Sequence, residues 1–331
     1  MKKKDDMKRI LYFAALVALL AGCSKSSQSD TPLRDTPISV NVLLPEILTR
    51  AGFDSANLPT LFYLSIDQSG TNYDYTNVVM KFEEGAWVAY ESAEETAAAK
   101  QLLWEGSTGN VTVTAATFSL SYSSAAPSYE LSALADQSTD ANVKASDHLC
   151  YYSTGVKPSK EGISIPFGHI MSKLKITLTL GTEYEDATDN PISSVAVFGS
   201  NIKGTYLPII QSSISSQSNS GSFGPQPNPI TIVKWGSQSE NSIIKTLPLS
   251  YSSLTATYEA ILIPQTIAAN NFVVEILIGD KTYEWKSTAE VELEEGKEYT
   301  LALTAGKDKV SGSRFTASTW GSGTGISSAT E

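Results

Sequence analysis

In KLKITLTL, from Lys173 to Leu180, apolar side chains fall at Leu174, Ile176, Leu178 and Leu180, with lysine and threonine between them. A period of two puts those four on one face of an extended chain, the pattern of a half-buried antiparallel strand. Apolar segments of this kind recur in FYLSI (Phe62 to Ile66), NVTVTAATF (Asn110 to Phe118), GISIPF (Gly162 to Phe167), SSVAVFG, YEAILIP and EYTLALT, broken by clusters of Ser, Gly, Asn and Pro. In NFVVEILIGDKTYEW the pair Gly279-Asp280 predicts a two-residue hairpin turn. ESAEETAAAKQLL, from Glu91 to Leu103, favours helix by composition and predicts about two or three turns of helix on a loop. The chain is therefore all-β. Many short strands with such turn signals predict β-sandwiches, and 331 residues allow two in tandem.

The first residues set where those sandwiches go. Lys2, Lys3, Lys4, Lys8 and Arg9 precede an apolar run from Ile10 to Ala21 that ends in Leu20-Ala21-Gly22-Cys23. As a helix the run rises about 18 Å, short of a hydrocarbon core of about 30 Å, so a secretory signal is the better reading. A leucine three before a cysteine, with two small residues between, resembles the lipobox of bacterial lipoproteins, in which Cys23 takes a diacylglyceryl group and becomes the new amino terminus. An ordinary signal that happens to end in cysteine is the alternative. Residues 1–22 are thus read as a lipoprotein signal peptide and 23–35, rich in Ser, Thr and Pro, as a polar tether. An N-terminal sandwich over 36–168 and a C-terminal one over 169–331, with a polar tail, complete the expected organisation.

Charge and cysteine content remove several function classes. The whole chain carries −11, and five basic and two acidic residues precede Cys23, which leaves the mature chain near −14. A polyanion of that size is a poor match for nucleic acid. With Cys23 spent on lipid, Cys150 has no intrachain partner. A thiol outside the cytoplasm is expected to be inaccessible, because an exposed one would oxidise.

Nothing in the sequence forms a convincing catalytic or metal centre. His148 and His169 are the two histidines, and no Gly-x-Ser-x-Gly elbow is present. His148 and Cys150 lie two apart, side by side on one strand face, and no spacing supplies further zinc ligands. Glu183, Glu185, Asp186 and Asp189 crowd one loop without the ordered spacing of a calcium site, so a solvated acidic loop is expected. No cofactor and no metal are expected. Trp87, Trp104, Trp235, Trp285 and Trp320 could stack on sugars, though in β-sandwiches tryptophan more often packs between strands. A surface glycan-binding lipoprotein is the alternative function on that account, and a hydrolase is the weakest candidate.

Near the start of the sandwich region Ile38, Val40, Val42 and Leu44 alternate along one strand, and Pro45 ends the pairing because it has no amide to donate. Thr49-Arg50-Ala51 follows. Asp54-Ser55-Ala56 resembles the acceptor of general O-glycosylation in Bacteroides-type bacteria, which marks Ser55.

LADQSTDANVKASDHLCYYS (134–153), IPFGHIMSKLKITL (165–178), YEAILIPQT (258–266), LEEGKEYTLAL (293–303) and the late Trp320, together with the lipobox and Thr49-Arg50-Ala51, resemble the fimbrillin family of Bacteroidales, also called Mfa-like. The resemblance implies two transthyretin-like β-sandwich domains and a structural or adhesive, non-enzymatic subunit of type V pilus-like fimbriae. It implies export as a lipoprotein to the outer membrane, with surface exposure there. It also implies cutting between Arg50 and Ala51, release of the strand bearing Ile38, Val40, Val42 and Leu44, and entry of a strand from another pilus subunit into the vacated groove. Host or bacterial surface ligands are the further partners. An Arg50 that is never cut is the alternative. At the other end, Val310, Phe315, Ala317 and Trp320 are scattered apolar candidates for a donated strand. The small, polar residues from Gly321 onward leave room for an accessory, tip or anchor member.

Overall fold

The computed structural model describes residues 33–44, 52–68, 72–120, 129–185, 189–206, 235–312 and 315–320. All belong to one compact unit that begins at Leu33. In chain order the N-terminal half carries β1 (Val40–Leu43), β2 (Leu61–Asp67), β3 (Tyr75–Glu83), β4 (Ala86–Tyr90), β5 (Val111–Ala116), β6 (Tyr129–Ser132), α1 (Asp140–Ser146), β7 (Leu149–Val156), β8 (Ile163–Pro166) and β9 (Gly168–His169). The rest carries β10 (Ser172–Leu180), β11 (Ile192–Tyr206), β12 (Trp235–Lys245), β13 (Leu247–Ser252), β14 (Thr255–Leu262), β15 (Gln265–Ile267) and β16 (Val273–Ile278). It ends with β17 (Lys281–Lys286), β18 (Val291–Leu293), β19 (Lys297–Ala305), β20 (Val310–Gly312) and β21 (Thr316–Thr319).

The C-terminal half is a sandwich. One sheet runs β13-β14-β10-β19, with β20 and β21 both pairing β19, and the other runs β12-β11-β16-β17. Leu174, Ile176, Leu178 and Leu180 meet Ala256, Tyr258, Ala260 and Leu262 of β14 and Leu301 and Leu303 of β19. Val195, Val197, Val274, Ile276 and Ile278 close the core from the facing sheet. β10 keeps its alternating face, but it is a central strand, antiparallel to β14 and parallel to β19, rather than part of a purely antiparallel sheet. Gly279, with φ 57°, makes the expected hairpin turn between β16 and β17.

In the N-terminal half an antiparallel sheet runs β4-β3-β2-β5-β7-β9, and β1 forms a separate parallel pair with β8. Phe62, Leu64, Ile66, Val78, Met80 and Val113 fill the space between the sheet and that pair. β6, on the N-terminal side of the 168/169 boundary, pairs β11 instead. A third apolar cluster joins the halves through Leu131, Val143, Ile170, Met171, Tyr206, Ile261 and Trp320.

The helix expected over 91–103 does not form. Residues 91–96 make bends and a turn; Lys100 then donates to the Ala89 carbonyl, Ile38 donates to Leu102, and Trp104 donates to Thr36, so 97–104 runs extended between β4 and the N-terminal strand. Tertiary backbone pairing outweighs the propensity of its alanines. The helix among the described residues is instead α1, which Thr139 caps by accepting from the Asn142 amide at 3.3 Å.

Candidate functional site

The alternation read in the sequence fixes which side of β1 faces inward. Ile38 and Val42 are buried, and Val40 and Leu44 pack beside them on the same cluster, while Leu43 on the opposite face is 48% exposed. The groove floor contains Phe62, set edge-on to Trp87 at 4.7 Å and to Phe167 at 5.3 Å. Ile163 and Ile165 of β8 and the sealed Trp104 form its walls.

The backbone of this segment changes partner along its length. Asp35 donates to Trp104, and Ile38 donates to Leu102. From Val40 onward β1 lies parallel to β8, with Val40 opposite Ile163 and Val42 opposite Ile165. Ser39 accepts from the Ile163 amide at 2.8 Å, and its hydroxyl donates to the Glu161 carbonyl at 3.0 Å. Gly162, at φ 82°, allows this approach, because an added Cβ would overlap the Ser39 carbonyl. At the upstream end the Tyr73 hydroxyl donates to Asp35 at 2.6 Å, and that hydrogen bond raises the Tyr73 pKa. The Arg34 guanidinium lies over the same ring at 5.8 Å.

Arg50 and Ala51 lie outside the described residues, as does Cys23. The chain resumes at Gly52, which is buried with φ 90° between Asp147 and Trp320. The Phe53 amide donates to Asp147 Oδ2 at 2.8 Å. Asp54 then accepts from the Ala56 and Asn57 amides, a tight turn that holds Ser55 exposed at its tip.

Asp147 is the center of a buried cluster that the sequence reading missed. Its Oδ1 lies 2.9 Å from His169 Nδ1, and the His169 ring stacks on Trp320 at 3.8 Å, 8° from parallel. Lys173 sits 5.7 Å from the Trp320 ring and pairs with Glu259 at 3.2 Å and Glu298 at 3.6 Å. Burial pushes the Glu259 carboxyl up despite that lysine. These groups come from the end of α1 and from β9, β10, β14, β19 and the end of β21, so no local spacing announces them. His169 Nε2 has no hydrogen-bond partner among the described residues, so no nucleophile engages this Asp-His pair there.

The remaining candidates are dispersed. His148 Nε2 lies 3.0 Å from the Ser132 carbonyl, and burial pushes its pKa down. Cys150 is half-buried rather than sealed and packs against the apolar cluster that joins the halves. Glu183 and Glu185 are exposed, and no His, Cys, Asp and Glu group suited to a metal occurs among the described residues. Trp104 is fully buried, with its indole nitrogen donating to Ser159 at 2.8 Å, and Trp320 is buried, so neither offers a face to a sugar. Trp87 and Trp285 are half-buried, and the Trp235 side chain lies outside the described residues.

Fold and site together define an all-β protein with an N-terminal strand seated in its own apolar groove. Residues 49–320 match the fimbrillin-like family model, and the chain belongs to that family. Residues 7–24 match the prokaryotic membrane lipoprotein lipid attachment site. A crystal structure from Bacteroides ovatus, of a protein assigned to cell adhesion, shares 17% identity with a TM-score of 0.55, covering 85% of this chain and 97% of that one. Another so assigned, from Bacteroides uniformis, shares 13% with a TM-score of 0.50, covering 86% and 98%. At these identities the likeness is one of fold. No curated protein sequence matches the chain. The protein is a fimbrial subunit of structural or adhesive type that carries a lipoprotein export signal and a membrane anchor.

Proposed function

We propose that this subunit accepts a strand from another pilus subunit after its own β1 is removed by cutting between Arg50 and Ala51. The observation that carries the reading is the seating of β1. It contributes alternate apolar side chains to the core, yet among the described residues its one strand partner is β8, with the 102–104 segment bonding the residues just upstream. Such a strand can be exchanged for another of the same alternation, since main-chain bonds supply affinity and the pockets now holding Ile38, Val40, Val42 and Leu44 supply register. The groove lies in the half before the 168/169 boundary, which is the acceptor domain of the expected pair.

The last strand among the described residues is occupied. β21 pairs β19, Phe315 and Ala317 pack on the C-terminal core, and Trp320 is buried. This favours an accessory, tip or anchor position over a shaft subunit that donates its tail. In this reading the protein is non-enzymatic, is held in the outer membrane by lipid on Cys23, faces the cell exterior and carries a glycan on Ser55 at its exposed turn.

The test is arginine-specific proteolysis of the soluble chain that starts after Cys23, followed by intact mass and by mixing with candidate donor subunits. A cut at Arg50, distinguished by mass from cuts at Arg34 or Arg314, followed by denaturant-resistant complexes, is the expected result. A chain that resists cutting there, or that is cut and forms no complex with any donor, would show β1 to be a permanent strand.

A further inference from the structure

Lys173, Glu259 and Glu298 stand on three neighbouring strands of the C-terminal sandwich, β10, β14 and β19. Lys173 lies directly opposite Glu298, and Glu259 lies opposite Lys175, two residues along, so all three share one face of the sheet. Lys173 Nζ approaches Glu259 Oε2 at 3.2 Å and Glu298 Oε2 at 3.6 Å. The Lys173 and Glu259 side chains are fully sealed, whereas that of Glu298 keeps 18% exposure. Neither oxygen of Glu259 accepts a well-directed hydrogen bond among the described residues, and burial raises its pKa. The pair therefore carries the desolvation cost of both charges without the directed bonds that would offset it. The buried Trp320 ring, 5.7 Å from Nζ, shields the lysine from bulk water. A lysine amine kept from water gives up its proton more readily and is then a nucleophile. A carboxyl that favours its protonated form is the matching electrophile.

We propose that Lys173 and Glu259 condense into an intramolecular amide, with Glu298 carrying the protons. Lys173 Nζ attacks the Glu259 carboxyl carbon, one bond away from the oxygen it already approaches. The Nζ–Cδ bond forms, and one Cδ–O bond breaks. Of the three ammonium protons one stays on the amide nitrogen, and two leave with the departing oxygen as water. Glu298 takes each of those protons from nitrogen and returns it to that oxygen. A cation and an anion thus become a neutral amide and one water, with nothing oxidised or reduced. Loss of two buried charges favours the product, and the partly exposed side of Glu298 gives the water a way out. The ion pair is the state of the freshly folded chain, and the amide replaces it with time. The bond closes residues 173–259 into a covalent loop across two neighbouring strands, which a pulling force on a fimbrial subunit cannot extend.

Mass spectrometry tests this. The soluble chain from Ser24, which keeps every described residue, is aged for several days at growth temperature, and its intact mass is followed. The native chain is expected to lose the mass of one water, while a sample held in urea keeps its full mass. Trypsin is expected to leave Lys173 uncut and to yield a branched fragment joining 161–175 to 246–281. Lys173→Arg keeps the charge but removes the nucleophile, and is expected to stay at its calculated mass. Glu259→Gln is expected to form the same branch with loss of ammonia in place of water. Glu298→Gln is expected to slow the reaction about a hundredfold. A wild-type chain that remains at its calculated mass, or a lost water that maps outside those two segments, would overturn the inference. An unchanged rate in Glu298→Gln would overturn the role given to Glu298.

Discussion

Lys173 illustrates how much one residue's surroundings depend on strand order. Its place in the alternation assigns it to a polar face with Lys175 and Thr177, yet it is fully buried, because β14 and β19 flank β10 and Trp320 covers its end. The Lys173–Glu259 pair is therefore sealed on both sides. Replacing Lys173 by Met leaves a buried carboxylate without its cation and is expected to cost about 3–5 kcal/mol, measured by urea unfolding. The double replacement Lys173→Met with Glu259→Met is expected to recover most of that loss. Gly162 is a second case. Alanine there meets the Ser39 carbonyl, so Gly162→Ala is expected to destabilise the uncut chain by about 1–3 kcal/mol more than the processed one. Equal losses in both forms would remove the glycine's link to β1.

At the scale of elements, the N-terminal segment is bonded by different partners in succession, residues 35–38 to 102–104 and β1 to β8. Severing the chain at Arg50 breaks none of these bonds. After cutting, the released 24–50 peptide is expected to stay in the groove and co-elute with the body on gel filtration until a competing strand replaces it. Val42→Asp places a charge in the apolar groove, and its peptide is expected to separate at once. A wild-type peptide lost immediately would mean that the groove does not grip β1. The extended path of 97–104 belongs to the same arrangement: Leu102 and Leu103 serve the N-terminal strand as an edge, a role in which helix is excluded.

The whole molecule is held together across its halves by Gln137 as well as by the third apolar cluster. Its buried amide donates to the Ile261 carbonyl at 2.8 Å and accepts from the Ile261 amide at 2.7 Å, copying the two bonds of a neighbouring strand. Gln137→Ala leaves both backbone groups unmet and is expected to cost about 2–5 kcal/mol and to split unfolding into two transitions by calorimetry. Stability should also fall in acid through His148. Burial lowers its folded pKa, so the stability it contributes is complete above its ordinary value of about 6.5 and is lost as pH falls through the folded value. Glu259 has the opposite sign: its raised pKa gives a contribution present at low pH and lost as pH rises through the folded value. Melting His148→Gln beside the parent at about pH 7.5 and about pH 5 isolates the histidine, and the variant is expected to lose less in acid.

Strand identity, the inward face of β10 and of β1, the β16–β17 turn and the apolar leader ending at Cys23 were all legible in the sequence, because each depends on neighbours within a few residues. Period-two burial, turn chemistry and a short apolar run are local physics. What only the tertiary structure decided depends on partners far along the chain. That β1 would lie parallel to β8, that β10 would run parallel to β19, and that 97–104 would run extended are outcomes of backbone pairing, which side-chain patterns do not encode. The Asp147, His169, Trp320 and Lys173 cluster gathers residues up to 173 positions apart between Asp147 and Trp320. Its members stand in the sequence as an ordinary aspartate, histidine, tryptophan and lysine, and become a site only where packing removes the water between them.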